Sequence, residues 1–363
     1  MIAIIGAGPA GTNLAYLLAK AGKEVAVFEE HSEVGSPVQC TGIITHSIDR
    51  FVKLPQKVIA NKCGRVVVVS KNKRIDARVS EIVMWRNLFD RFMAERAVDA
   101  GAKLFLNHQF FGFDGKNKIK IKDKKNNKTK EIAAGDIVGA DGPSSAVGKA
   151  AGIGRKFDFY IGMQAKVRLS MDMNEFETYF SNKDFPEFFG WAVPESEKIA
   201  RLGLGARANA KELFYRLIKK RTGKEEVLCW ESGIFPIHNP KQVIQKGNVY
   251  LIGDAASHVK ATTGGGIIPS IKAGYTLADC IVRKKDYQKA FMLQSGKELR
   301  LHLKIRKMLN RFTDSDYDYL LGLMDSEKVK NVLDKYDRDT PIPLVLNLIM
   351  KEPRFLKYVR FAL

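Results

Sequence analysis

Ile2-Ala3-Ile4-Ile5-Gly6-Ala7-Gly8-Pro9-Ala10-Gly11 decides how the chain begins to fold. Ile2 to Ile5 is a short apolar run of strand character. Beyond the glycines, Asn13 to Ala21 carries Leu14, Leu17 and Leu18 at helical spacing, and Gly22 stops the helix. Glu24 to Phe28 reads as a second strand, giving a β-turn-α-β unit that requires a parallel sheet. The glycines divide the work of the turn: Gly6 for the tight bend, Gly8 for close approach of a pyrophosphate, Gly11 for helix against strand. Pro9 and Ala10 then open the helix, whose free N–H groups meet phosphate charge. Glu29 ends the second strand, where a carboxylate accepts hydrogen bonds from ribose hydroxyls, so the stretch is a dinucleotide-binding unit of Rossmann type.

Outward from that unit, Arg86 to Ala100 is an amphipathic helix ended by Gly101, followed by a strand from Lys103 to Leu106. Lys118 to Lys122 and Glu131 to Ala133, joined through Asn126-Asn127, form an exposed hairpin, and Ile137 to Ala140 returns to the parallel pattern. From about residue 157 to Asn209 the pattern is one of strands broken by short turns: Gly162 to Leu169, Phe176 to Phe180, Phe188 to Val193 and Ile199 to Ala206. This is an antiparallel sheet, with a helix from Lys211 to Lys220, and Val249 to Ile252 resumes the parallel sheet. The expected architecture is therefore α/β: a discontinuous Rossmann-type domain (1–44, 82–155, 245–285), an inserted antiparallel-sheet substrate domain (45–81, 156–244) and a C-terminal helical lobe (286–363).

Two further turns distinguish FAD from a nicotinamide, whose domain needs neither. Gly139-Ala140-Asp141-Gly142-Pro143-Ser144-Ser145 and Gly253-Asp254-Ala255-Ala256 both follow apolar strands and bear an aspartate. The ordered set of glycine turn, Arg86 with Phe89-Asp90, DGxxS turn and GDAA turn resembles the glutathione-reductase-type flavoproteins of the aromatic hydroxylase branch. That resemblance implies an FAD whose ribityl chain is held by Asp254, whose phosphates lie near Arg86, and whose site includes Asp141, Gly142 and Gly253. Asp141 and Asp254 have a plainer reading as caps of their own turns.

A narrower resemblance rests on Pro37-Val38-Gln39-Cys40-Thr41-Gly42, which is similar to the PxxCxG signature of geranylgeranyl reductases. Phe189-Gly190-Trp191-Ala192-Val193-Pro194 resembles their aromatic YxWxFP segment, and Thr263-Gly264-Gly265-Gly266-Ile267 also fits. Departures are plain: Phe189 and Val193 replace the usual Tyr and Phe, the glycine after the proline arrives one residue late at Gly203, and the DGxxS turn lacks its following arginine, with Gly148 and Lys149 nearby. The resemblance implies reduction of carbon–carbon double bonds in a geranylgeranyl chain on an ether lipid or a pigment precursor. It places Cys40, Thr41 and Gly42 at the flavin, with Cys40 as the catalytic candidate, Gly264 to Ile267 also at the cofactor, and Phe188, Phe189, Trp191 and Pro194 around the prenyl chain. An apolar wall suits a chain that offers only apolar surface. Cys40 otherwise reads as a small buried residue, the aromatics as ordinary core, and His258 and Lys260 as either a proton source or phosphate contact or solvated side chains.

Composition sets the outer limits. Of 363 residues 45% are hydrophobic and 28% charged, as in folded globular chains, and no repeat stands out. The net charge of +20 favours an anionic partner: a lipid surface, an acidic protein or nucleic acid. No recognised RNA-binding motif accompanies the charge, so no nucleic acid is expected. Cys40, Cys63, Cys229 and Cys280 lack metal-ligand or disulfide spacing, which fits a reducing cytoplasm and no metal. No stretch approaches the ~20 apolar residues of a spanning helix. Membrane contact is therefore expected to be peripheral, on the inner face of the cell membrane. The helix carrying Arg300, Lys304, Arg306 and Lys307 is the candidate for it. With no second GxGxxG, electrons are expected from an external donor: ferredoxin, NADPH or a reduced deazaflavin, F420H2. A flavin monooxygenase and an electron-transfer flavoprotein–quinone oxidoreductase share the cofactor motifs and remain the alternatives.

Overall fold

The computed structural model describes residues 1–115, 117–153, 158–223 and 227–361. The chain divides into two compact units. The first comprises Met1–Val38, Arg86–Asp158 and Pro236–Arg300, the second Gln39–Trp85, Phe159–Phe235 and Leu301–Leu363. The boundary expected at 155/156 lies outside the described residues. The C-terminal stretch expected as a lobe divides, with 286–300 in the first unit and 301–363 in the second.

Apolar strands crossed by helices give the first unit its sheet. Its order is Gln245–Lys246, Val249–Leu251, Asp136–Gly139, Ile2–Ile5, Val25–Phe28 and Lys103–Phe105. All neighbours run parallel except Gln245–Lys246 against Val249–Leu251. Ile2–Ile5 and Val25–Phe28 are buried along their whole length, as strands covered on both faces must be. The helix Pro9–Lys20 follows the first strand with Pro at its first position, where the missing N–H is harmless. The hairpin expected over 118–133 is two-thirds of a three-stranded antiparallel sheet completed by His108–Phe113.

Three parallel strands end in loops that touch one another. Gly6 has φ +101°, and a Cβ there would lie 2.4 Å from the Ala140 carbonyl oxygen, so the first turn rests on the turn after Asp136–Gly139. A Cβ on Gly11 would lie 2.1 Å from the Gly6 carbonyl oxygen. A Cβ on Gly253 would lie 2.8 Å from that of Ala10, which seats the turn after Val249–Leu251 against the start of the helix.

The second unit is built on eight strands in the order Cys229–Pro236, Phe159–Arg168, Ile199–Ala206, Gly190–Ser196, Glu175–Tyr179, Ile59–Val69, Arg74–Met84 and Ile43–Thr45. Glu175–Tyr179 runs parallel to Ile59–Val69. The long hairpin Ile59–Val69/Arg74–Met84 was not anticipated, although Ile75 and Ala77 alternate inward between exposed Arg74, Asp76 and Arg78. The helix Ala210–Thr222 covers one face through Leu213, Phe214, Leu217 and Ile218. No helix among the described residues is long and apolar enough to cross a membrane.

Gly11→Ala should lower the unfolding free energy by about 3 kcal/mol, because the clash is with backbone that cannot rotate away. Gly8→Ala should be close to neutral, since a Cβ there meets nothing within 4 Å. Urea denaturation of the two variants checks the contrast.

Candidate functional site

The loops at the carboxyl ends of the parallel strands form the first candidate surface. The helix Pro9–Lys20 has Gly8 as N-cap, with no side chain capping it, so its first N–H groups are offered outward. Open space above Gly8 leaves room for a phosphate to reach that backbone. The helix Ile267–Arg283 likewise begins without a side-chain cap, at Gly266. A Cβ on Gly266 would lie 3.0 Å from Asp254 Oδ1, so glycine lets the aspartate approach that helix end.

Glu29 is buried and ties the glycine turn to the second strand. Its Oε2 accepts from the Ala7 N–H at 2.8 Å, and its Oε1 from the His31 N–H at 3.0 Å. His31 Nδ1 also lies 2.6 Å from Oε1, a partner the sequence reading did not include. Arg86 holds Asp90 one helical turn on, through Nη2 at 3.0 and 2.9 Å from its two oxygens. Burial raises the Asp90 carboxyl, opposed by the Arg86 guanidinium. Burial also pushes Asp254 up to about 6, again against Arg86. Asp141 behaves as the turn cap of the plainer reading. Oδ1 accepts from Ser145 Oγ at 2.7 Å and Oδ2 from the Val147 N–H at 3.0 Å, so both oxygens shape the loop that carries Gly142.

The glycine loop 264–266 folds onto Lys260. The Lys260 N–H donates to the Gly265 carbonyl at 3.1 Å, and the Lys260 carbonyl accepts from Thr263 and Gly264. Lys260 is buried, contrary to the expectation of a solvated side chain. His258 is buried too. Its ring stacks on Phe291 with centroids 4.0 Å apart, and neither ring nitrogen has a hydrogen-bond partner among the described residues. Burial, then neighbouring His238, holds its pKa well below the ordinary value, which favours the neutral ring. His238 is lowered mainly by burial as well, with its Nδ1 2.9 Å from the Ser257 carbonyl.

The part of the PxxCxG segment in the second unit, Gln39 to Gly42, is tied to a polar network. Cys40 is a half-buried free thiol whose Sγ accepts weakly from the Gly42 N–H at 3.4 Å. Thr41 Oγ1 donates to Gln164 Oε1 at 2.7 Å, and Trp191 Nε1 donates to the same oxygen at 3.3 Å. One amide oxygen thus joins the cysteine loop to the aromatic segment. Gln164 Nε2 in turn donates to Glu231 Oε2 at 2.5 Å. Arg201 anchors the loop from below, donating from Nη1 to the Thr41 carbonyl at 2.7 Å and pairing through Nε with Glu195 at 2.9 Å. Lys166 completes the network on the other Glu195 oxygen at 2.6 Å.

Of the four expected pocket residues, Phe188, Phe189 and Pro194 are buried and Trp191 keeps partial exposure. Phe188 stacks on Phe189 with centroids 4.4 Å apart and on Tyr160 at 4.7 Å, which is core packing. Strand 199–206 accommodates these rings by lacking side chains beneath them. A Cβ on Gly203 would lie 2.5 Å from the Trp191 ring, and one on Gly205 2.5 Å from Phe188. The late-arriving Gly203 is thus the residue under the indole. Gln164, Arg201 and Glu231 were missed because a strand pattern that places polar residues inward carries no motif. The helix proposed for lipid contact turns Arg306 inward, leaving it 1% exposed with its guanidinium 4.6 Å from the Phe188 ring centre.

These features define an FAD-dependent flavoprotein of α/β type. Residues 1–283 match the FAD binding domain family, and the chain belongs to it. Gly8, the uncapped helix starts and the Asp254 carboxylate fit the cofactor: N–H donors for its pyrophosphate and an acceptor for its sugar hydroxyls. The chain is 27% identical to digeranylgeranylglycerophospholipid reductase of Methanothrix thermoacetophila, across 91% of this chain and 93% of that one. It is 26% identical to digeranylgeranylglycerophospholipid reductase 2 of Methanopyrus kandleri, across 99% and 98%. Its fold is that of a geranylgeranyl bacteriochlorophyll reductase-like protein from Thermoplasma acidophilum (TM-score 0.86, 21% identity, covering 100% of this chain and 98% of that one). The flavin-dependent halogenase CmlS shares the fold more distantly (TM-score 0.69, 15% identity, covering 98% and 78%).

The buried histidines give the first unit an acid limit. With folded-state pKa values below the unfolded ~6.5, the unfolded chain binds more protons beneath that pH, so their contribution is complete above pH ~6.5 and declines as pH falls. His258→Phe, which retains the stack on Phe291, should remove up to about 1.4 kcal/mol of acid destabilisation per pH unit below that point. Urea denaturation of wild type and variant at pH 7.5 and pH 5 measures the difference.

Proposed function

We propose that this protein is an FAD-dependent reductase that saturates carbon–carbon double bonds of geranylgeranyl chains in membrane ether-lipid synthesis. One observation carries the reading. Gln164 bonds both Thr41 of the cysteine motif and Trp191 of the aromatic segment, so the two motifs specific to prenyl reductases meet at a single side chain. The relatives named for reduction of digeranylgeranylglycerophospholipid align along nearly the whole chain, which supports the same substrate class.

Saturating an isolated alkene adds one hydride and one proton, and needs a water-poor site because the double bond is not polarised. Bound FAD, once reduced, supplies the hydride. Trp191, held by its indole N–H and by the absence of a side chain at Gly203, presents a fixed apolar edge to the prenyl chain. Thr41 and Arg201 fix the loop bearing Cys40, whose thiol is the candidate proton source. Asp254 would accept from the ribityl hydroxyls of bound FAD, while the Gly6 to Gly11 turn would receive the pyrophosphate and Arg86 would add positive charge. The electron pair comes from an external donor: ferredoxin, NADPH or F420H2. The +20 charge favours an acidic protein among these.

Halogenases and hydroxylases share the fold, so the deciding experiment excludes oxygen. Reduced protein incubated anaerobically with geranylgeranyl ether lipids should yield products heavier by pairs of hydrogens in mass spectrometry. A product formed only with oxygen would make it a monooxygenase. Trp191→Ala and Gln164→Ala should raise KM while FAD stays bound, and Cys40→Ser should lower kcat.

Cofactor affinity tests the Asp254 assignment separately. Asp254→Ala should weaken FAD binding roughly 10- to 100-fold, the range for a hydrogen bond to a charged group. Because Asp254 ionises near pH 6, wild-type affinity should rise as pH passes upward through that value and that of Asp254→Asn should not. Flavin fluorescence titration between pH 5 and pH 7.5 reads both.

A further inference from the structure

The helix Pro341–Lys351 has the composition of a buried element and the exposure of a surface one. Its sequence is Pro-Ile-Pro-Leu-Val-Leu-Asn-Leu-Ile-Met-Lys, and Pro341 alone among its residues is buried. Ile342, Leu346 and Met350 recur every four residues, so they share one face, with exposures of 38%, 57% and 67%. Leu356, in the helical segment Pro353–Phe361 that follows, is also 54% exposed. A helix of a folded domain ordinarily turns such a stripe inward.

The exposed charges that follow the helix are of one sign. Lys351, Arg354 and Lys357 are exposed beside the stripe. Glu352, the acid of this segment, is buried and neutralised by Arg354 at 2.8 Å and Lys328 at 2.9 Å. Lys357 lies 4.3 Å over the Tyr319 ring, which holds its charge at the surface. At 11 residues the helix is about 16 Å long, half of the roughly 30 Å hydrocarbon core, so it can lie in an interface but cannot span one.

We propose that the Ile342–Leu346–Met350 face, with Leu356 and the cations at its end, docks the protein on the surface of an anionic lipid bilayer. The apolar side chains enter the boundary between headgroups and acyl chains, and Lys351 and Lys357 meet the lipid phosphates. The basic excess of the whole chain acts in the same direction, drawing the protein to a negative surface. None of these residues is among those assigned to cofactor or prenyl chain, and the inference holds whatever the substrate.

Flotation of the FAD-loaded protein with vesicles tests it. The protein should float with vesicles of phosphatidylcholine and phosphatidylglycerol, and much less with phosphatidylcholine alone or in high salt. The double variant L346E/M350E should lose binding by about tenfold or more while keeping its flavin and its thermal stability, since both side chains point away from the core. K351E/K357E should lose the preference for anionic vesicles. Flotation of L346E/M350E equal to wild type, or no flotation of wild type, would overturn the proposal. Equal binding of wild type to neutral and anionic vesicles would overturn the anionic assignment. A wild-type dimer in sedimentation that L346E/M350E dissociates would show instead that a second copy covers the face.

Discussion

The approach of Gly11 to the Gly6 carbonyl leaves no room for a Cβ, and the first unit is arranged around that contact. It brings the helix Pro9–Lys20 down onto the turn that precedes it, so the helix start points past the strand end and not into it. The same crowding recurs where Gly6 meets Ala140 and where Gly253 meets Ala10, which is why the three loops form one surface. Each contact is between backbone atoms or a methyl group, so none can be relieved by a rotamer change. The stiffness is useful: N–H groups must be fixed beforehand if phosphate binding is not to carry the entropy of ordering them.

The second unit uses the same device on side chains. Missing Cβ atoms at Gly203 and Gly205 let Trp191 and Phe188 lie flat on the neighbouring strand. The polar network beneath the cysteine loop serves a different end. Gln164, Arg201 and Glu231 are almost wholly buried, and burying charge is unfavourable unless partners are complete. Here the pairing of Arg201 with Glu195, and of Lys166 with the same carboxylate, offsets that penalty. What the network supplies is direction: the Thr41 carbonyl and hydroxyl are both held, so the loop has little freedom at the residue next to Cys40. Such a network raises specificity more than stability.

How much of this was legible in the sequence depended on whether the physics was local. The glycine turn, Glu29, the Arg86 helix and the two aspartate turns were readable because backbone geometry at a strand end restricts residue type at fixed spacing. The strand Ile199–Ala206 was placed to the residue, since its glycines and leucines alternate. The Ile59–Val69/Arg74–Met84 hairpin went unread although its second strand alternates, because its first mixes half-buried polar and apolar positions. The roles of individual side chains were harder still. Asp141 and Asp254 sit in similar turns, yet one satisfies its own loop and the other faces the start of a helix. Only tertiary contacts separate them. The burial of His258 and Lys260 likewise depends on Phe291 and on the fold-back of the glycine loop, which no spacing rule contains.

Two C-terminal helices show why composition misleads about which face is inside. Lys297–Leu309 is rich in cations, and periodicity would place its leucines inward. It does bury Leu299, but the same face also buries His302 and Arg306, the guanidinium lying against Phe188 and donating to the Glu187 carbonyl at 3.3 Å. Pro341–Lys351 is nearly all apolar and leaves Leu346 and Met350 in the open. A planar guanidinium is the cation best suited to an aromatic face, because it is weakly hydrated and can stack, so removing it from water costs less than removing an ammonium. Aromatic core therefore tolerates the arginine, while the Ile342–Leu346–Met350 face of the second helix stays exposed among the described residues. The inversion is a consequence of what each helix meets, and it moves the proposed lipid-facing element from the basic helix to the apolar one.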